Sequence, residues 1–299
     1  MKTSSMSTWK SNWKGIILFL LPIGAMYITF FVYPFIFVFI SSLTEWNGIS
    51  AMQFHGLKNY TNRLQSSTTQ TAIRNNIFWA LSLGFLRVGF AAIIAFILAR
   101  RPRFWKSLRT IYFVPKVISM VAIAILWKAV YNAEYGALNA VLSVITGHEW
   151  SHNWLGSFAT ALPAIIAQEV MYIGYFMIII IAGVMSIPQT FYEAAEIDGA
   201  SVLQQERMIT IPMVWGIIVT AMTLAMAYGL RHFEATFLMT GGGPGHSTTT
   251  LALAMYDKIG ARKLGQASSL GSLLVVIGFA VIVTLNKTLG RKSLTGEDQ

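Results

Sequence analysis

The chain has 299 residues, 55% of them hydrophobic and 11% charged, against about 25% charged in a soluble domain. That balance excludes an ordinary soluble fold and places the chain in a membrane. Cysteine is absent, which excludes a disulfide framework and a Cys-ligated zinc or iron–sulfur centre. The basic residues behind the net charge of +10 gather at the ends of apolar runs, where they set topology, and form no face suited to nucleic acid.

Residues 1–15 carry Lys2, Lys10 and Lys14 and read as a short N-terminal segment. The apolar run 16–43 is longer than the roughly 7–15 residues of a cleaved signal, so it reads as a retained span. Pro22 and Pro34 are expected to kink it. Residues 44–72 are polar, with Trp46, Asn47 and Gly48 as turn signals. The second span, 73–99, contains Arg87, and the densest basic cluster follows it: Arg100, Arg101, Arg103, Lys106 and Arg109. The third span, 110–130, has Lys116 and Lys128 toward its ends, where long stems can snorkel. Residues 131–156 are polar without Lys or Arg, and 157–184 form the fourth span. A polar loop, 185–212, leads to the fifth span, 213–239; a second one, 240–266, leads to the sixth, 267–289. Each span exceeds the ~20 residues that cross ~30 Å of hydrocarbon.

The expected fold is therefore all-α: a polytopic membrane protein with six transmembrane helices over 16–289 and a tail at 290–299. The ends and loops on one side hold twelve Lys and Arg and those on the other hold six. Both termini and the 185–212 loop are then expected in the cytoplasm.

The most ordered polar stretch is Glu193 to Pro212. Glu193, Ala194, Ala195, Glu196 and Ile197 form helix readily, and Asp198-Gly199 reads as a helix stop. Ser201 fits an N-cap for a second short helix ending at Pro212. The pattern E-A-A-x-x-D-G-A, then Ile209-Thr210-Ile211-Pro212, resembles the cytoplasmic coupling loop of permease subunits of binding-protein-dependent ABC importers. Ile211 stands where that family more often has Leu. The resemblance implies that Glu193, Ala194, Ala195, Asp198, Gly199, Ala200 and Pro212 dock in a cleft of an ATPase subunit.

Two further elements are similar to the maltose-type carbohydrate branch of that family. Phe54-His55-Gly56-Leu57-Lys58-Asn59-Tyr60 matches its F-x-G-L-x-N-Y element, and Thr240-Gly241-Gly242-Gly243-Pro244 its T-x-G-G-P element. In the family the second faces the external binding protein, which implies that role for Gly242, Gly243 and Pro244. A phosphate-cradling loop would need Gly-Lys-Ser/Thr after its glycines; this loop has no Lys.

Ionisable residues inside spans are the candidate pathway, because an unpaired charge in hydrocarbon costs at least ~2.5–3.5 kcal/mol. Glu169 lies roughly 18 Å into the fourth span at 1.5 Å per residue, with Tyr172 and Phe176 on the same helical face. Arg231 and Glu234, three apart on the fifth span, can pair, and Tyr228 precedes Arg231 by one turn. Carboxylates, Arg and aromatic rings suit a sugar; a structural locking role for Arg231, Glu234 and Arg87 remains the other reading. His148-Glu149-Trp150-Ser151-His152 is formally H-E-x-x-H, which on a helix would hold zinc for a protease. It lies between glycines in an external loop, however, where Trp150 and Trp154 suit the membrane interface. The resemblance implies a permease without enzymatic activity or cofactor. It implies a second homologous permease, two ATPase subunits, an extracytoplasmic solute-binding protein, lipid and a carbohydrate substrate as partners. The alternatives are an ABC permease for glycerol phosphate, polyamine or peptide, and a zinc metalloprotease using His148, Glu149 and His152.

Overall fold

A computed structural model describes residues 5–290. Lys2, Arg291 and Lys292, and with them most of the expected tail, lie outside the described residues. The first span is α1 (Gly15–Ser42). A small hairpin follows, β1 (Thr44–Glu45) against β2 (Gln53–Phe54), with Thr44 opposite Phe54. The next helix, α2 (Lys58–Leu64), holds the end of α1. Asn59 Nδ2 donates to Ser42 O and Thr44 O, both at 2.9 Å, satisfying one carbonyl that the helix end leaves free and one in β1. Tyr60 Oη hydrogen-bonds with Ser42 Oγ at 2.6 Å and with Ser272 Oγ at 2.7 Å. In the F-x-G-L-x-N-Y element, then, Asn and Tyr join helices while Phe54 and Leu57 are exposed.

The second span is α3 (Ser67–Ala99). The third differs from the single helix expected. Helices α4 (Trp105–Val117) and α5 (Met120–Val130) are bent by 102°. Pro115 sits in a 3-10 turn at the break, and Ile118 and Ser119 are extended, because proline supplies no N–H to continue an α-helix. After α6 (Ala137–Thr146) comes the fourth span, α7 (Ala161–Met185), interrupted at 171–173. The short α8 (Gln189–Ile197) turns into α9 (Val202–Leu230). Then come α10 (Glu234–Met239), α11 (Leu251–Gly260) and α12 (Leu264–Gly290). Among the described residues five helices are long and apolar enough to cross a membrane, and six spans result if α4 and α5 count as one.

The second half of the 193–212 stretch also differs from expectation. It is not a separate helix ending at Pro212: α9 runs through it, and Pro212 lies just after a π turn at Glu206–Thr210. A π turn is wider, so the carbonyl four residues back, on Met208, is displaced from the proline ring. Pro34 in α1 follows a π turn at Ile28–Val32 in the same way. The expected fifth span shifts accordingly: α9 ends at Leu230, short of 239.

The core lies among α3, α7 and α9. Trp79, Leu83, Ile165, Met177, Ile180 and Met226 are fully enclosed there. In α7 67% of the apolar window is buried within the chain, and in α1 0%. The face of α1 is thus left to lipid or to a partner.

Candidate functional site

Four spans are irregular at one level. In α3 a π turn covers Leu83–Arg87; α4 and α5 break around Pro115; α7 breaks at 171–173; α9 gives way to α10 across 231–233. These breaks line a cavity of about 220 Å³ whose walls include Arg87, Pro115, Lys116, Glu169, Tyr172, Tyr228 and Glu234. Irregular backbone at membrane depth is tolerated where it lines such a space and where protein groups take up the freed carbonyls. Here Arg87 Nε donates to Tyr172 O at 2.9 Å, and Asn76 Nδ2 donates to Leu230 O.

Arg87 also pairs with Glu169, Nη1 to Oε2 at 3.5 Å, with side chains only 4% and 2% exposed. Its guanidinium stands 5.4 Å from the Phe176 ring and 5.8 Å from the Tyr228 ring. Glu169 Oε1 is buried and takes no hydrogen bond among the described residues; His232 Nε2 is 3.8 Å away. Lys116 Nζ lies 5.5 Å from the centre of the Tyr228 ring, and Trp127 Nε1 donates to Tyr172 Oη at 2.9 Å. The result is a polar, aromatic-walled chamber with one closed ion pair and two charges, Lys116 and Glu234, that have no ionic partner among the described residues.

At one end of the bundle α8 and the start of α9 form a tight hairpin. Gly199 has φ +75°, and the bonds Gly199 N to Glu196 O (3.0 Å) and Ala200 N to Ala195 O (2.8 Å) close a Schellman turn. Open space surrounds the Gly199 Cβ position, so backbone conformation is what requires glycine. Ser201 opens α9: Gln204 Oε1 accepts from its backbone N at 2.7 Å and its hydroxyl at 2.8 Å. Arg100 at the end of α3 braces the hairpin, Nε to Glu206 Oε1 at 2.8 Å, and Tyr192 Oη meets Thr210 Oγ1 at 2.9 Å.

A family model described as "Binding-protein-dependent transport system inner membrane component" matches residues 87–292. The chain belongs to that family. The permease is 32% identical over 277 residues to the probable ABC transporter permease protein YurN of Bacillus subtilis, covering 90% of this chain and 94% of that one. It is 31% identical over 273 residues to the trehalose/maltose transport system permease protein MalF of Thermococcus litoralis, covering 89% and 90%. A chain in the crystal structure of a bacterial ABC transporter that imports the acidic polysaccharide alginate shares its fold, with TM-score 0.78, 22% identity, and coverage of 95% and 98%. It is a multi-pass inner-membrane component, and ATP hydrolysis belongs to separate ATPase subunits.

The permease brings together most of the residues expected along the pathway. Glu169, Tyr172, Tyr228 and Glu234 share the cavity, while Arg231 is exposed and does not line it. Arg231 and Glu234 are also not one helical turn apart, because α9 ends at Leu230 and α10 begins only at Glu234, and they form no ion pair. The glycine-rich loop is more tightly held than its composition suggests. Thr248 Oγ1 donates to Gly243 O at 2.9 Å and meets Thr240 Oγ1 at 2.7 Å. From α3, Asn75 Nδ2 donates to Ser247 O and Thr249 O at 2.8 and 2.9 Å. Gly242 is buried in this network, and Gly243 and Pro244 line an open cavity with Lys128, Tyr131 and Asn153.

His148, Glu149 and His152 lie on irregular chain, so no helical face aligns the imidazoles, and His152 Nε2 meets Thr160 Oγ1 at 3.1 Å. Among the described residues no group of three His, Cys, Asp or Glu is placed to hold a metal. Sequence reasoning missed Lys116, which was assigned to a helix end, and His232. Pro115 beside Lys116 was the available signal for a mid-membrane break.

Proposed function

We propose that this permease carries a carbohydrate, delivered by an extracytoplasmic solute-binding protein, along a pathway completed by a second homologous permease. Two ATPase subunits docked on the Glu193–Pro212 hairpin would drive it. Residues 1–15, the hairpin and 290–299 are then cytoplasmic, and the Gly242-Gly243-Pro244 loop faces the binding protein.

One observation carries this reading. The helix α9, 29 residues long, begins at Val202 in the hairpin and ends at Leu230 beside the cavity. At 1.5 Å per residue it is a strut of roughly 40 Å. Displacement at the hairpin therefore moves the cavity wall at Tyr228, and closure of the ATPase pair switches the chamber from inward- to outward-facing. Ile197 and Leu203 project from the hairpin 86% and 78% exposed, an apolar surface suited to a partner. The Glu193 and Asp198 carboxylates take no side-chain partner among the described residues and are free to bond at that dock.

For the substrate, Glu169, Glu234 and Lys116 supply acceptors and donors for hydroxyls, and Tyr172 and Tyr228 supply rings for a pyranose face. The names of the MalF relative and the alginate importer, both carbohydrate systems, support the same class. The test is reconstitution with the co-purifying subunits in proteoliposomes. Gly199→Asp, which strains the turn, is expected to abolish ATPase association and sugar uptake. Intact association and uptake would end the strut mechanism, and ligand screening of the co-purifying binding protein tests the carbohydrate class separately.

A further inference from the structure

The basic cluster after α3 has a geometry that orientation alone does not require. Arg100 is committed to Glu206. Arg101, Lys106 and Arg109 instead converge on one indole: their cationic centres lie 5.8, 5.9 and 5.3 Å from the Trp105 ring. None has a carboxylate within ion-pair distance among the described residues, and all three are exposed. Three like charges around one ring repel one another, and an anion placed among them would relieve that repulsion.

The depth of the cluster says which anion. Lys106 precedes Lys116, the cavity residue, by about ten residues of α4, roughly 15 Å of helix. Arg101 also stands two residues past the end of the α3 span at Ala99, which brings the cations to the boundary of the hydrocarbon. Phe104 beside them is 66% exposed, and Ile111, two residues past Arg109 toward the cavity, is 64% exposed. Apolar groups on the membrane side and cations at the rim are the arrangement that holds a lipid with its headgroup at the surface.

We propose that Arg101, Lys106 and Arg109, assembled on Trp105, bind the phosphodiester headgroup of an anionic phospholipid at the hairpin end of the bundle. The site sits against Arg100, so lipid bound there supports the brace between α3 and the hairpin.

The full chain is purified in detergent with equimolar phosphatidylglycerol and phosphatidylcholine, and bound lipid is read by native mass spectrometry. Each cation near an anionic surface is worth roughly fivefold. The wild type should retain phosphatidylglycerol over phosphatidylcholine at least about tenfold. The triple variant R101Q/K106Q/R109Q should lose most of that preference. Neutralising Lys58, Arg74 and Lys263 at the other end should leave it unchanged. The charge-conserving pair K106R/R109K should keep it, which separates lost charge from misfolding. The proposal is overturned by equal preference in the wild type and the triple variant. It is also overturned if inorganic phosphate displaces phosphatidylglycerol, which would make the cluster a free-anion site. A third contrary result is loss of the ATPase subunit, and not the lipid, from the triple variant in pull-down, which would make it a protein contact.

Discussion

Replacing Arg87 with Met removes one partner of a deeply buried ion pair. The Glu169 carboxylate, 2% exposed, would lose its counter-ion, and the Tyr172 carbonyl would lose the donor now 2.9 Å away. Breaking a buried pair from one side costs about 3–5 kcal/mol, mostly through the charge left behind. At about 2 °C per kcal/mol for a chain of this size, the melting midpoint should fall by roughly 6–10 °C. The double variant R87M/E169Q removes the stranded charge and should recover at least half of the loss. The remainder is the orphaned carbonyl, roughly 1–3 kcal/mol. Tryptophan fluorescence during thermal unfolding in detergent reads all three midpoints. If R87M melts with the wild type, or if the double variant is as low as the two single losses combined, the pair is not what holds the broken helices together.

Other substitutions test the breaks and the brace. Gly174→Ala would drive a Cβ into the Tyr112 carbonyl oxygen; displacing α4 from α7 should cost about 1–3 kcal/mol or more, read as a lowered midpoint. Asn76→Ala removes the donor to Leu230 O and the acceptor of Leu251 N, which is 2.7 Å away. Two buried backbone groups left unbonded should cost roughly 3 kcal/mol. Arg100→Ala breaks a pair that is 38% and 16% exposed, so stability should change by less than about 1 kcal/mol. Hydrogen exchange over 202–210 should nevertheless quicken, because the hairpin loses its tie to α3.

Hydropathy read the spans well where the helix is continuous. Residues 16–43 and 267–289 match α1 and α12 closely, because an uninterrupted apolar run has one outcome in a bilayer. It failed where the backbone breaks inside an apolar segment, since a window average is blind to a lost hydrogen bond. Pro115 and Gly174 marked two of those breaks, whereas nothing local marks the end of α9 at Leu230. Arg87 and Glu169 were each legible as costly in hydrocarbon, but their partnership depends on α3 and α7 meeting, which a sequence pattern does not specify. The Gly199 turn was legible because its chemistry is local. Pro212 misled for the converse reason: the π turn before it absorbs the proline, and no residue pattern announced that turn.

The most direct test of the importer assignment is to solubilise the chain from its native membrane, recover it by affinity, and identify by mass spectrometry what accompanies it. A second permease, an ATPase and a solute-binding protein are expected together. Recovery of the chain alone, with stoichiometric zinc, would contradict the account and return attention to His148 and His152.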